Sequence, residues 1–268
     1  MYHKTNMNSK KIYFKIGSIS IEITSSTSYV LEFFKKQYCL LPTTHKPFDY
    51  RLTFNVDTLS VFKMHINRKT GEISFPKYED YSHFSFFFNF IVQLFVLQQG
   101  IILLHASSVE KGQKGYVFAG PSGIGKTTII KNIEPTHIYS NDVTILKKLR
   151  DNYVLLCSPF DRFFSASKKQ IKLEKIFFLR QAKKTSVKDL SHSKGYESLL
   201  KNSIFYYFLD TIVVKGKKKR LNNDFADIKI PDYSLLMQKY LLQLFALRPS
   251  TLLNKKRDDK IYSLVESL

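Results

Sequence analysis

A chain of 268 residues with 44% hydrophobic and 15% aromatic content can bury a sizeable core, as one large domain or a main domain with a smaller appendage. The net charge of +20 is spread along the chain, Trp is absent, and Phe, Ile, Asn and Lys abound as AT-rich coding would produce. Without a zinc-finger, helix-turn-helix or RNA-sheet signature, that charge does not indicate nucleic-acid binding.

From the N-terminus, "MYHKTNMNSKKIYFKIG" lacks the apolar core of a signal peptide. "KIYFKIGSISIEI" alternates as strands do, "SYVLEFFKKQY" reads as a helix over 28–38, and "DYRLTFNV" and "FKMHIN" are further β-rich runs. Residues 1–80 therefore read as a β-rich N-terminal region with no nameable chemistry. Phe84 to Leu104 resembles a membrane span, but Ser85, Asn89 and Gln93 recur every four residues and Gln98-Gln99-Gly100 interrupts the run. That pattern predicts a core helix at about 82–99 with one polar stripe, and no membrane insertion.

"GIILLHASSVE", a turn at Lys111 to Lys114 and "GYVFAG" then predict two strands. Next come "GPSGIGKT" and a short helix that Pro135 bounds. "HIYSND" reads as a strand ending in polar residues, "VTILKK" and "YVLLCSP" as a hairpin, and "KLEKIFFLRQ" as a strand. Residues 194–210 and 232–247 read as helices. The fold class is α/β. Cys39 and Cys157 stand far apart and make neither a disulfide framework nor metal-ligand spacing, so a reducing cytoplasm is the expected compartment.

Gly120-Pro121-Ser122-Gly123-Ile124-Gly125-Lys126-Thr127 fits the Walker A pattern G-x-x-x-x-G-K-[ST]. Its glycines let the backbone curl so that successive N–H groups point at phosphate oxygens. The lysine of such a loop reaches the β- and γ-phosphates, and the hydroxyl after it ligates Mg²⁺. The apolar strand before it and the β-branched helix start after it make this P-loop a nucleotide-binding expectation. Asp142 supplies an acidic residue soon afterwards, which is compact spacing for such a fold.

Taken together, "LLHASSV", "GPSGIGKTT" and "YSNDV" resemble the catalytic domain of HPr kinase/phosphorylase, related in fold to ATP-dependent phosphoenolpyruvate carboxykinase. Diverged HPr-kinase-like proteins found with peptide-modification genes are more similar still, and "CSPF" and "KLEKIFFLRQAKKTSV" extend the likeness over roughly residues 85–215. The resemblance implies a P-loop HPr-kinase-like catalytic domain over 81–268. It implies that Gly120, Ser122, Gly123, Ile124, Gly125, Lys126, Thr127 and Thr128 hold ATP, and that Thr127 and Asp142 hold Mg²⁺. His105, Lys126 and Asp142 would be catalytic, with His105 orienting the carboxylate that accepts the substrate proton. Asn141 departs from the family's acidic pair, because an amide takes no proton. Arg162 and Arg180 are candidates to neutralise phosphate, and Glu174 a weaker candidate for a metal contact; the remaining histidines form no ligand-spaced cluster.

The implied activity is transfer of the γ-phosphoryl group to a hydroxyl, Ser or Thr of a peptide or small-protein acceptor. Two alternatives stand beside it: a nucleotide-binding regulatory or scaffold protein with little turnover, and a small-molecule kinase acting, for example, on free serine. Homo-oligomerisation is left open, since the family includes hexamers.

Overall fold

Lys11–Ile16 (β1) and Ile19–Ser25 (β2) pair antiparallel around a two-residue turn, in which Gly17 takes φ +59°, a region open to glycine at no steric cost. The computed structural model describes residues 11–41, 47–57, 63–67, 69–76, 82–131, 133–160, 170–213, 222–224, 230–247 and 250–255. Alternation predicts a half-buried hairpin, yet β2 is buried along its whole length. Glu22 is 1% exposed within it, accepting hydrogen bonds from Arg51 Nε (2.6 Å), the Tyr13 hydroxyl (3.2 Å) and Lys11 Nζ (3.3 Å). Those partners offset the cost of taking a carboxylate out of water.

Helix α1 (Ser28–Gln37) follows as its sequence predicts, burying Val30, Leu31 and Phe34. Strands β3 (Leu40–Leu41), β4 (Tyr50–Asp57), β5 (Lys63–Ile66) and β6 (Thr70–Pro76) extend the first sheet. Its order is β14-β5-β6-β4-β2-β1-β3, where β14 is Asn222–Asp224, a strand that the sequence pattern does not reveal.

Helix α2 (Ser82–Leu97) is apolar around most of its circumference, with Ser85, Asn89 and Gln93 as its one polar stripe, because it packs against protein on opposite sides. At ~100° per residue, Phe88 and Phe90 project about 200° apart. Phe88 meets Phe14 and Phe34 of the first sheet's layer at ring distances of 5.3 and 4.8 Å. Phe90 stacks at 3.7 Å on Phe208 of α5 (Ile204–Val213). One continuous hydrophobic cluster consequently runs from Ile12 to Leu253. Among the described residues, no helix is long and apolar enough to cross a membrane.

The second sheet contains β7 (Ile101–Lys111), β8 (Lys114–Ala119), β10 (Val143–Lys148), β11 (Tyr153–Leu156), β12 (Ile171–Gln181), β13 (Ser186–Asp189) and β15 (Ser250–Lys255). Their order is β11-β10-β7-β8-β12-β15-β13, with β9 (Ile138–Ser140) beside β7. Strand β11 also pairs with β12 through Val154↔Lys172 and Leu155↔Ile171, closing β10, β7, β8, β12 and β11 into a ring at one end. Gly115 sits at that closure, where an added Cβ would approach Leu155 Cδ1 to 2.4 Å. Strands β8, β12 and β15 run parallel. Helices α3 (Lys126–Ile130), α4 (His192–Asn202) and α6 (Ile230–Leu247) complete the mixed α/β fold.

The helix expected over 194–210 is two helices, broken at Ser203, and the reason lies in β7. Residues 101–105 pair with β10 on one side, while β8 reaches only 106–111 on the other. Gln93 of α2 fills that edge: its Nε2 donates to the Ile101 carbonyl (3.0 Å), and Leu103 N–H donates to its Oε1 (2.6 Å). Ser203 forms an isolated bridge with Leu104 at the same edge. One polar side chain and one helix break thus complete a strand ladder inside the core.

Gln93→Leu keeps the volume and orphans both backbone groups. At roughly 1–3 kcal/mol for each, it should cost about 2–6 kcal/mol in urea unfolding with an unchanged slope. A loss below about 1 kcal/mol would show that Gln93 is not the ladder partner.

Candidate functional site

Strand β7 brings three separated pieces of sequence together. On one side His105 pairs in register with Val143, and Ala106 N–H donates to the Asp142 carbonyl at 2.9 Å. On the other side Ala106 pairs with Ala119, the last residue of β8, so the glycine loop starts beside His105. Asp142 itself stands at the bend between β9 and β10. The buried hydroxyls of Ser140 and Thr144 fasten that bend, each donating to the Ala106 carbonyl at 3.2 and 2.9 Å.

In the loop, Gly123 (φ +77°) and Gly125 (φ +102°) both take left-handed backbone, which curls the chain, and Ile124 N–H donates to the Pro121 carbonyl at 3.3 Å within that curl. Gly120 is needed for packing, since a Cβ there would lie 3.0 Å from Ile124 Cγ2 and 3.4 Å from Leu179 Cβ. Ser122, Thr127 and Thr128 are exposed, Ile124 is half-buried, and Lys126 is 5% exposed. Lys126 Nζ folds back over the start of the loop, donating to the carbonyls of Gly120 (2.9 Å) and Pro121 (3.2 Å). Burial holds its ammonium below the usual lysine range, and the Asp142 charge works against that.

His105 Nε2 is shared. It lies 3.0 Å from Asp142 Oδ1 and 3.1 Å from Lys126 Nζ. With a proton it donates to Asp142; without one it accepts from Lys126; it cannot do both at once. The imidazole is 12% exposed and the Asp142 side chain 68% exposed, so this triad runs from the interior to the surface. Partial burial of Asp142 works to raise its carboxyl. The His105 hydrogen bond and charge, with the Lys126 charge, outweigh it and hold the group below the usual carboxylate range. Beneath the site, burial pushes the Tyr38 phenol up and the Asp142 charge adds to this, against a hydrogen bond with Ser85. Tyr38, in the N-terminal sheet's layer, lies within range of the Asp142 charge, and no motif marks it in the sequence.

Asn141 Oδ1 is buried with no hydrogen-bond partner among the described residues. Arg180, at the end of β12, lines a cleft beside the loop. Glu174 does not approach the site: it accepts a hydrogen bond from Lys114 at 3.1 Å, at the start of β8. Six residues of strand separate Lys114 from Gly120, roughly 20 Å at strand rise, so Glu174 is no metal contact there. Within "CSPF", the Pro159 carbonyl accepts from Cys39 N–H (2.9 Å) and Phe160 packs on Phe14 and Phe88, tying this segment to the first sheet. Arg162 lies outside the described residues, as do His3 and His45. Among the described residues no three His, Cys, Asp or Glu side chains gather as a metal cluster. Sequence reasoning missed Tyr207, whose ring lies 5.6 Å from that of His105; its only signal is its place one turn after the Ser203 break.

No protein-family model matches the chain, and no curated protein matches it. Among solved structures it is similar to the HPr(Ser) kinase/phosphatase from Coxiella burnetii, at 17% identity over 31% of this chain and 67% of that one. The TM-score is 0.23, which leaves the functional reading to the chain's own residues.

An NMR titration should find the Asp142 carboxyl below the usual carboxylate range, and His105→Ala should move it upward by removing the hydrogen bond. Because the folded value is depressed, Asp142 stabilises the fold above the unfolded carboxylate range, and that contribution is lost as pH falls through the folded value. An Asp142 titration unchanged in His105→Ala would refute the coupling.

Proposed function

We propose that the chain is an ATP- and Mg²⁺-dependent phosphotransferase that moves the γ-phosphoryl group to a hydroxyl, Ser or Thr of a peptide or small protein. The observation that carries this reading is the convergence of Lys126, His105 and Asp142 at the start of the glycine loop, with contacts of 3.1 and 3.0 Å. A glycine loop by itself supports phosphate binding. A carboxylate on a histidine beside the loop's lysine adds the proton acceptor that transfer to a hydroxyl needs.

The residues present suit a nucleotide phosphate chain. Two left-handed glycines, Gly123 and Gly125, give the curled backbone from which phosphate loops present N–H donors, and an added Cβ at Gly123 would meet nothing within 4 Å. They suit Mg²⁺ as well, since the oxygen donors on offer are few: the exposed Thr127 hydroxyl and one oxygen of the exposed Asp142 carboxylate, the one that faces His105, which leaves its other oxygen free. A small hard cation that keeps its waters and takes phosphate oxygens requires no all-protein cage. Bound Mg²⁺–ATP would supply the phosphoryl group and the charge that neutralises it.

The chain's own residues would then act as follows. Lys126 leaves the Gly120 and Pro121 carbonyls for the β- and γ-phosphate oxygens. With Lys126 gone, His105 Nε2 keeps its proton and donates to Asp142 Oδ1, fixing the carboxylate's orientation. The second carboxylate oxygen would receive the acceptor's hydroxyl proton as the new O–P bond forms, while the bond from the γ-phosphorus to the bridging oxygen breaks and ADP leaves. A carboxylate held in its ionised form is ready for this at neutral pH. Asn141 takes no part in proton transfer, so one carboxylate must suffice.

Asp142→Asn should lower turnover by about 10²–10⁴-fold while ATP affinity stays within a few-fold, measured by transfer of label from ATP to a peptide library. Lys126→Ala should abolish the labelling. Intact ATP binding with no transfer to any peptide or protein acceptor would defeat this reading in favour of a nucleotide-binding regulator. A large gain in turnover from Asn141→Asp would point to the same conclusion.

A further inference from the structure

A cleft of about 360 Å³ opens beside His105 and the first loop residues, Gly120 and Pro121. It lies at the carboxyl ends of the parallel strands β8 and β12, the edge where open α/β sheets hold ligands. Phe178, Leu179 and Leu252 give it apolar walls, while Arg180, Lys201 and Tyr207 bring two cations and a phenol. Its volume is at the small end of ligand pockets, enough for a short segment rather than a whole nucleotide.

The loop's polarity says which end of the reaction this cleft serves. The loop lysine reaches the β- and γ-phosphates. His105, which touches the proposed proton acceptor Asp142, stands beside Gly120 and Pro121, so the terminal phosphate belongs at the start of the loop and the nucleoside toward its other end. His105 lines the cleft and also touches Asp142, so the cleft adjoins the proposed proton acceptor. Tyr207, 41% exposed and 5.6 Å from the His105 ring, forms a wall at this junction.

We infer that this cleft seats the phosphoryl acceptor, and that it selects a peptide whose hydroxyl residue has apolar neighbours followed by acidic ones. The inference rests on the phosphotransferase reading for which chemistry the cleft serves. The apolar walls take the neighbouring side chains, and Arg180 and Lys201 take the carboxylates. Lys201 at present pairs with Glu197 one turn earlier on α4, with both side chains well exposed. A surface pair of that kind is weak enough for an incoming carboxylate to replace. Free serine would leave the apolar walls uncovered, which favours a peptide over a small molecule.

Equilibrium binding to the full chain tests this directly, with and without a non-hydrolysable ATP analogue. The probes are three fluorescein-labelled pentapeptides: serine between two leucines followed by two glutamates, the same with two lysines, and serine between two glycines followed by two glutamates. The first should bind tightest. Lys201→Glu should weaken it several-fold and favour the lysine peptide with ATP-analogue affinity unchanged, and adding Arg180→Glu should deepen the loss to about tenfold. Tyr207→Ala, at a half-exposed position, should weaken the leucine peptides and leave the ATP analogue unaffected. Equal binding of all three peptides, or indifference to these variants, would overturn the inference. So would a loss of ATP-analogue affinity in Lys201→Glu alone, which would assign the cleft to the nucleoside. Peptide binding is read without turnover, so a failure of phosphoryl transfer strikes the phosphotransferase reading and leaves this result standing.

Discussion

A β-strand buried in a core must find a partner for every N–H and C=O on both of its edges, and β7 cannot do so with strands alone. Its first half has β10 on one side and, among the described residues, no strand on the other. Gln93 and Ser203 supply the missing groups from two different helices. This fixes the height of α2, sets where the α4–α5 pair must break, and holds still the segment that ends at His105. The site is therefore mounted on a strand whose backbone groups are answered from three directions. A change at Gln93, distant from any phosphate, would be felt at His105 through that backbone.

The site's electrostatics come from crowding two ionisable groups, Lys126 and Asp142, around one imidazole nitrogen. Lys126 is buried, Asp142 is largely exposed, and His105 lies between them, so charge is graded from the interior outward. Each neighbour alters the others: Asp142 opposes the lowering of Lys126, and Lys126 with His105 lowers Asp142. An anion drawing Lys126 away would leave His105 Nε2 with a single partner. An anion at the loop and the carboxylate of Asp142 would in this way be linked through one nitrogen, without any large movement of the chain.

Much of this was legible in the sequence, for identifiable reasons. The hairpin at Gly17, the core helix, and the strand before Gly120 are each specified by local periodicity and turn chemistry. Gln93 stood out as polar in an apolar helix, although its two backbone partners were not foreseeable, because they depend on which edge of β7 goes uncovered. Long-range relations were hidden for the same reason. His105 and Asp142 are 37 positions apart, and only a family resemblance suggested that they meet. The short strands β13, β14 and β15 carry too little pattern to be read. Their pairings are set by partners elsewhere in the chain. Glu174 looked like a metal contact because it lies within a resembling segment; strand direction carries it to the opposite end of the sheet.

Strand β14 has a consequence for how the protein is made. Asn222 pairs in parallel with Lys63, so the outer edge of the first sheet waits for a segment about 160 residues downstream. At roughly 5–20 residues per second, that edge stays unsealed for about 8–30 seconds of synthesis. During that interval β5 exposes open backbone donors and acceptors, the condition under which strands recruit foreign chains. The nascent protein is therefore most exposed to aggregation midway through translation, and slower decoding of the stretch between them would lengthen the hazard.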